Sequence, residues 1–188
     1  MESRANPTLN PQIITLAALL HDVGDFKLTK DHSLQLPHIQ QVLNQAQARA
    51  KEHGISPLPK EHIEFVCHIV CNMSFRKELE SVQGAAQSVL NSVEFKIVQD
   101  ADRLDALGAI GLARCFAYTG AVGRAIVVGD GDFRRYEAAA ASLSAASYND
   151  SVINTDAARK NSNTCAPDAV GHLFEKILKL RDLMKTPS

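Results

Sequence analysis

The chain has 188 residues, 45% of them hydrophobic and 22% charged, and this balance excludes a disordered protein. The formal net charge is −1, from 20 basic and 21 acidic residues, which argues against a broad nucleic-acid-binding surface and against a polybasic membrane anchor. The longest apolar stretch, Ile13 to Leu20, is too short to cross a bilayer. We therefore expect neither a nucleic-acid partner nor a membrane partner, and a single domain over residues 1–188.

The four cysteines form no CxxC pair, which favours free, buried thiols in a reducing compartment. The first residues lack the charged region, the long apolar core and the cleavage site of a secretory signal. A cytoplasmic location is therefore expected.

Helical periodicity dominates the chain. Apolar residues recur at intervals of three and four residues, which places them on one face of an amphipathic helix. These spacings predict helices through residues 16–23, 39–50, 63–70, 93–118 and 173–184. The aromatic content of 5% also fits helices better than a sandwich or a barrel, so the predicted fold class is all-α.

Three segments are predicted to lie outside the helices. Residues 1–11 are expected to form a flexible N-terminus. Residues 147–167 are rich in Ser, Asn, Thr and Asp, which predicts a long, mobile surface loop. The short apolar run from Ala125 to Val128 ends in Gly-Asp-Gly, and we interpret it as a loop rather than a strand.

The first residues that could take part in a reaction or bind a metal are His21 and Asp22, at the end of the first apolar helix. A neighbouring imidazole and carboxylate can chelate one divalent cation of hard or borderline character. Asp25 follows His21 by four residues and could position or deprotonate a water on that cation. Taken alone, the pair is better explained as a helix-terminal histidine beside a capping aspartate.

A second candidate is the run Asp-Ala-Asp-Arg-Leu-Asp, from Asp100 to Asp105, within the predicted helix 93–118. Carboxylates concentrated in one helix repel each other unless a cation or a basic partner such as Arg103 compensates. The alternative is a solvated acidic face. Gly108 and Gly111 follow, and each glycine inside a helix costs about 1 kcal/mol relative to alanine. A close approach by another helix or by a ligand would explain them.

Together these motifs resemble the HD-domain metal-dependent phosphohydrolases. The longest motif, Ile97–Ala117, is similar to one subgroup of predicted HD-superfamily hydrolases, some members of which resemble nucleoside-triphosphate pyrophosphatases. The likeness extends over roughly residues 14–185. It is carried by three segments: Ala18–Lys27, Asn72–Lys77 and Ile97–Ala117.

The resemblance implies a helical HD-domain bundle that binds a divalent metal and hydrolyses a phosphate ester or anhydride. By position, His21, Asp22 and Asp102 match the family's metal ligands. Asp25 matches an acidic position that is catalytic in related enzymes. The mixed nitrogen and oxygen ligand set favours Mn²⁺, with Mg²⁺, Co²⁺ or Ni²⁺ as alternatives.

The expected substrate is a small phosphorylated metabolite, with the nucleotides as one candidate class. Basic side chains should bind its phosphate, since arginine makes bidentate contacts and lysine acts as a point charge. Lys27 is expected to lie near the metal and to take part in catalysis as well as binding. The residues predicted to bind substrate are Lys27, Arg76, Arg103, Asp105 and Arg124.

One feature departs from the family pattern, which includes a further metal-binding histidine upstream of the His-Asp pair. None of the 20 residues before His21 is histidine. The family pattern also continues into a further helix beyond the position that Ser188 occupies. The resemblance thus implies a bundle that lacks the family's first and last helices. The alternative function is a catalytically impaired HD-domain protein that binds a ligand or a partner, with self-association through uncovered faces. His38 is considered as a substitute ligand, although a solvent-exposed histidine at a helix start explains it better.

Overall fold

The structure is a computed structural model and describes residues 9–25, 29, 31–79, 86–128, 134–141 and 168–186. Within these ranges every regular element is helical, and the one β-type interaction is an isolated parallel bridge between Ala125 and Asp168. The predicted all-α fold is confirmed. No helix in the described ranges has the length and hydrophobicity needed to cross a membrane.

The helices follow the predicted periodicity closely along most of the chain. A short 3₁₀ turn, His32–Leu34, precedes the second α-helix, and the last α-helix continues into a π-helical turn, a further turn of α-helix and a 3₁₀ turn. The α-helices are α1 Pro11–Leu20, α2 Gln35–Glu52, α3 Lys60–Asn72, α4 Phe75–Leu79, α5 Ala86–Leu90, α6 Val93–Leu104, α7 Gly108–Ala121, α8 Arg134–Ala141 and α9 Ala169–His172. The segment after α9 consists of Leu173–Ile177, Leu178–Leu180 and Arg181–Leu183.

Two of the predicted non-helical segments lie wholly or mainly outside the described residues. The loop predicted for 147–167 is outside them, and so are residues 1–8 of the flexible segment predicted for 1–11. Asn10 and Pro11 already belong to the start of α1, where the Asn10 side chain accepts hydrogen bonds from the backbone amides of Gln12 and Ile13. This is the usual N-cap arrangement, and it fixes where the helix begins.

The chain divides into two compact units. Unit one comprises Met1–Ser74 and Val82–Gln99, and unit two comprises Phe75–Ser81 and Asp100–Ser188. Helix α6 therefore contributes residues 93–99 to unit one and residues 100–104 to unit two. The single HD domain predicted for residues 1–188 stays a prediction.

Unit one is built around α3, against which α1, α2 and α5 pack. Burial of each large aliphatic or aromatic side chain contributes about 1.5–3 kcal/mol, so this cluster accounts for much of the unit's stability. Its α1 members recur at intervals of four and three residues, as an amphipathic helix requires. The core consists of Ile13, Ala17, Leu20, Ile39, Leu43, Val66, Cys67, Ile69, Val70, Met73, Val89, Phe95 and Val98.

Unit two has a smaller apolar cluster centred on Phe75 and Leu180. Asp168 adds a buried polar junction: its carboxylate accepts hydrogen bonds from the Tyr136 hydroxyl at 2.6 Å and from the amides of Val128 and Gly171 at 2.8 and 2.7 Å. These bonds join three parts of unit two at one carboxylate, namely α8, the segment at Val128 and the start of α9, so Asp168 stabilises the packing of these parts as well as the N-terminus of α9.

The predicted helix 93–118 is wrong in one respect, because the structure contains two helices there. Helix α6 ends at Leu104, and α7 begins at Gly108. Leu107 is extended and Gly108 has a φ of +67°, a backbone conformation that glycine adopts without strain. At Gly111, a Cβ atom would lie 2.2 Å from the carbonyl carbon of Ala106. The close neighbour of Gly111 is thus the preceding turn, and neither a separate helix nor a ligand is needed to explain it.

Candidate metal centre

His21 and Asp22 lie in the turn that follows α1, in unit one. The Nδ1 atom of His21 is 2.8 Å from the carbonyl oxygen of Ala18, one turn back along the helix. Because a carbonyl oxygen can only accept a hydrogen bond, we assign the ring proton to Nδ1. In the neutral imidazole, Nε2 then carries the lone pair that a metal requires. An orienting hydrogen bond of this kind is typical of metal-binding histidines.

The Nε2 atom of His21 lies 3.1 Å from Oδ2 of Asp22. Two donors that each lie about 2.1 Å from one cation, at an angle near 90°, are about 3 Å apart. The histidine side chain is 34% exposed and the aspartate side chain 69% exposed, so a hydrated cation can reach both. A separation of 3.1 Å is also that of an ordinary ion pair between these two side chains. The pair therefore suits one half of a divalent-metal site in ligand chemistry and access, with a distance that is compatible with both arrangements.

Gly24 fixes the turn that carries this pair. Its φ is +69°, and a Cβ atom there would lie 2.8 Å from the Cα of Gln35 and 3.2 Å from the Cβ of His38. The chain can reverse this close to the start of α2 only with glycine at this position. The same contact brings His38, considered above as a substitute ligand, alongside the turn; its role as a ligand stays a prediction.

Asp25 is half-buried at the end of the same turn. Its amide donates to the carbonyl of Asp22 at 3.2 Å, and its own carbonyl accepts from the amide of Thr29 at 3.1 Å. Asp25 therefore has a fixed backbone close to His21 and Asp22, as a water-positioning residue needs. Lys27, predicted to act beside it, lies outside the described residues.

Asp102 lies on the exposed side of α6, in unit two. The neighbouring motif residue Asp100 is only 3% exposed, so the run is not the uniformly solvated acidic face that was the alternative prediction. The Oδ2 atom of Asp100 accepts hydrogen bonds from the amides of Lys185 and Thr186 at 2.8 and 2.6 Å and from the Thr186 hydroxyl at 2.8 Å. Sequence reasoning missed both partners, because they lie some 85 residues further along the chain.

Arg103 is also buried, at 3% exposure. Its guanidinium donates to the carboxylate of Glu78 and to the backbone carbonyl of Leu183. Glu78 in turn accepts from the Lys185 ammonium at 2.9 Å. The basic partner that was expected for the motif carboxylates thus binds a different carboxylate, on α4. Contact between Arg103 and substrate stays a prediction.

The other predicted substrate-binding residues are dispersed. Asp105 pairs with Arg114, and both side chains are more than half exposed. Arg124 is half-buried after the end of α7, and Arg76 belongs to α4 by its backbone. These three residues all belong to unit two, and their contact with substrate stays a prediction.

Among the residues described, no three His, Cys, Asp or Glu side chains form a group that could hold a metal ion. Coordination of one cation by His21, Asp22 and Asp102 together stays a prediction. Cys67 and Cys115 are free thiols; Cys67 is buried, as expected, whereas Cys115 is partly exposed. Burial raises the pKa of the Cys67 thiol and that of the Cys115 thiol, which keeps both protonated and unreactive near neutral pH.

Comparisons with known proteins are consistent with these motifs. A family model for the HD domain matches residues 2–107, a range that includes His21, Asp22 and Asp102. The chain is 31% identical to the uncharacterized protein YpgQ from Bacillus subtilis (strain 168) over 174 residues, which are 93% of this chain and 60% of that protein.

Solved structures show the same relationship. The crystal structure of a Lactobacillus plantarum protein superposes with a TM-score of 0.60 at 27% identity, covering 94% of this chain and 65% of that one. The crystal structure of Bacillus subtilis YpgQ superposes with a TM-score of 0.54 at 31% identity, covering 95% and 64%. The chain thus spans less than two thirds of the length of these relatives. Since the HD-domain match extends over more than half of its residues, the chain belongs to the HD domain family.

Proposed function

We propose that this chain is a divalent-metal-dependent hydrolase that cleaves a phosphate ester or anhydride in a small phosphorylated metabolite of the nucleotide class. The observation that carries the proposal is the geometry of His21 and Asp22. The imidazole is oriented by Ala18, and its Nε2 atom is 3.1 Å from the neighbouring carboxylate. Membership of the HD domain family supports a phosphohydrolase over other metal-dependent activities.

His21 and Asp22 would hold the cation together with Asp102. Their nitrogen and oxygen donors favour Mn²⁺, and Mg²⁺, Co²⁺ and Ni²⁺ are the alternatives. A bound cation of this class polarises phosphoryl oxygens and activates water as a nucleophile near neutral pH. Asp25, held half-buried on the same turn as the pair, would orient that water and accept its proton.

Basic residues would bind and orient the phosphate. Because Arg103 already donates to Glu78 and Leu183, we assign phosphate contact first to Lys27, Arg76 and Arg124. Removal of Arg76 or Arg124 should raise KM more than it lowers kcat, since each contributes binding that is similar in the ground and transition states. Removal of Lys27, which we propose also takes part in catalysis, should lower kcat as well. The near-neutral charge supports a small-molecule substrate rather than a nucleic acid or a membrane as partner, and a cytoplasmic site of action is proposed with it.

The test is hydrolysis of common ribo- and deoxyribonucleoside triphosphates and of p-nitrophenyl phosphate, with Mn²⁺, Mg²⁺, Co²⁺ or Ni²⁺ and with EDTA. Asp22→Asn should abolish metal-dependent turnover, because it replaces a charged ligand by a neutral amide. Asp182→Asn is the matched control, an exposed carboxylate that pairs with Arg181 in unit two. Turnover that survives EDTA, or that Asp22→Asn and Asp182→Asn affect equally, would contradict the proposal.

A second candidate function is a ligand-binding HD-domain protein without turnover. It is favoured by the lack of a three-ligand group among the described residues. On this alternative, no metal and no substrate in the panel gives turnover, whereas a nucleotide still protects the chain against thermal unfolding. Gel filtration with light scattering would test self-association in the same preparation.

A further inference from the structure

The end of α6 is bound to a segment from the far end of the chain, Leu183 to Thr186. Three hydrogen bonds converge on one oxygen of Asp100: two from the amides of Lys185 and Thr186, and one from the Thr186 hydroxyl, all between 2.6 and 2.8 Å. The other oxygen, Oδ1, is buried and has no hydrogen-bond partner among the residues described. The carboxylate therefore depends on the Leu183–Thr186 segment for its compensation in the interior.

Arg103 contacts the same segment from the next turn of α6. Residues three apart lie on neighbouring parts of a helix surface, so Asp100 and Arg103 share the buried face. The Arg103 guanidinium donates to the carbonyl of Leu183 and to Glu78, and Glu78 also binds the ammonium of Lys185 at 2.9 Å. The Asp100 carboxylate and the Arg103 guanidinium, on one helix face, thus bind the backbone of the segment, and Asp100 also binds the Thr186 hydroxyl.

Asp102 lies between these two residues in sequence but on the exposed side of the helix. At 100° per residue, its direction differs by about 160° from that of Asp100. Helix α6 ends at Leu104, so Asp102 is in the last turn, which tends to fray when nothing holds it. The contacts of Asp100 and Arg103 fix this turn from its buried side.

We propose that Asp100 and Arg103 are positioning residues, which hold Asp102 in place for metal binding by fastening the last turn of α6 to the Leu183–Thr186 segment. The inference rests on the proposed function, in which Asp102 is a metal ligand. Outer contacts that orient a ligand typically change metal affinity by about tenfold or more when they are removed. The segment would then set the metal affinity of the site without contacting the metal.

The variants centre on Thr186, which is half-buried and whose substitution leaves the backbone contacts in place. Thr186→Val removes the hydroxyl donor to Asp100, and Thr186→Ser keeps it. Thr119→Val is the matched control, because the Thr119 hydroxyl donates to the carbonyl of Cys115 at 2.8 Å, in the same unit and away from the motif. Mn²⁺ affinity is measured by electron paramagnetic resonance of the free ion, beside thermal stability and the kinetics of nucleotide hydrolysis.

We expect Thr186→Val to weaken Mn²⁺ binding by about tenfold, Thr186→Ser to restore it, and Thr119→Val to leave it unchanged at a similar loss of thermal stability. If the wild-type chain binds Mn²⁺ and Thr186→Val behaves like Thr119→Val, the positioning role is overturned and the proposed function stands. If Asp102→Asn leaves Mn²⁺ affinity unchanged, or if the wild-type chain binds no Mn²⁺, there is no ligand to position, and the positioning role and the proposed ligand set are both overturned.

Discussion

The Nδ1 atom of His21 lies 2.8 Å from the carbonyl oxygen of Ala18. This hydrogen bond uses one of the carbonyls that the C-terminal turn of α1 leaves without an intrahelical partner. It also sets the tautomer of the imidazole, so that Nε2 is the atom presented towards Asp22. The end of a helix thereby serves two purposes, since it satisfies its own backbone and orients the side chain that we propose binds the metal.

The turn that carries His21 and Asp22 depends on Gly24. Substitution of Gly24 by alanine would place a Cβ 2.8 Å from the Cα of Gln35, in a backbone conformation with φ of +69°. We expect the free energy of unfolding in urea to fall by about 2–4 kcal/mol, since both strain and a backbone clash oppose the side chain. Gly54→Ala is the control, because Gly54 has a similar φ of +71° but nothing within 4 Å. Equal losses for the two variants would show that the contact with Gln35 is unimportant.

Substitution by alanine should change the stability of the chain in opposite directions at Gly111 and Gly120, which both lie in α7. Replacing a helical glycine by alanine usually stabilises a helix by up to about 1 kcal/mol, and we expect this for Gly120→Ala, where the new methyl group meets nothing within 4 Å. At Gly111 the Cβ would lie 2.2 Å from backbone atoms of Ala106, so Gly111→Ala should destabilise the chain. Urea unfolding of both variants checks the signs; stabilisation by Gly111→Ala would contradict the packing described for the turn before α7.

The buried and exposed arginines of the motif region should differ strongly in their contribution to stability. Arg103 is 3% exposed. Arg103→Met leaves Glu78 with Lys185 as its ion-pair partner and removes the guanidinium hydrogen bonds to Glu78 and to the Leu183 carbonyl, which should cost about 2–4 kcal/mol. Arg114 pairs with Asp105 at the surface, and Arg114→Met should cost less than about 1 kcal/mol. Thermal unfolding monitored by circular dichroism separates the two. A small loss for Arg103→Met would mean that its buried interactions are worth no more than a surface pair.

The thiol of Cys67 predicts a dependence of stability on pH. Burial raises its pKa, so the folded chain favours the protonated thiol. Its stabilising effect is complete below the ordinary thiol pKa of the unfolded chain, and it is lost as pH rises through that value towards the folded one. Between about pH 8 and about pH 10, stability should fall more steeply for the wild-type chain than for Cys67→Ala. Parallel pH profiles, measured by urea unfolding, would argue against burial as the cause.

How much the sequence predicts depends on the distance between interacting residues. The helices Gln35–Glu52 and Lys60–Asn72 follow from apolar spacing, because each needs only one buried face. The His21–Asp22 pair is local as well, since adjacent residues at a helix end meet without help from the rest of the fold. The break after Leu104 was missed because Leu104 and Gly108 keep the helical spacing, and the conformation of Gly108 becomes evident only in the structure.

The surroundings of the Asp100–Asp105 motif could not be predicted in the same way. Asp100 and Arg103 look like solvated or substrate-binding residues in the sequence, yet both are buried against a segment that begins at Leu183. No local pattern marks a contact between residues about 85 positions apart. Buried charges of this kind are determined by tertiary packing, because their cost is met only when specific distant partners are in place.

The central proposal is that His21, Asp22 and Asp102 would bind the same divalent cation. Pulsed electron paramagnetic resonance of the chain loaded with Mn²⁺ tests it most directly, because it detects nitrogen nuclei bound to the metal. We predict one Mn²⁺ per chain with a histidine nitrogen coupling that disappears in His21→Gln, and a marked loss of affinity in both Asp22→Asn and Asp102→Asn. A nitrogen coupling that persists in His21→Gln, or an affinity that Asp102→Asn leaves unchanged, would contradict the shared site.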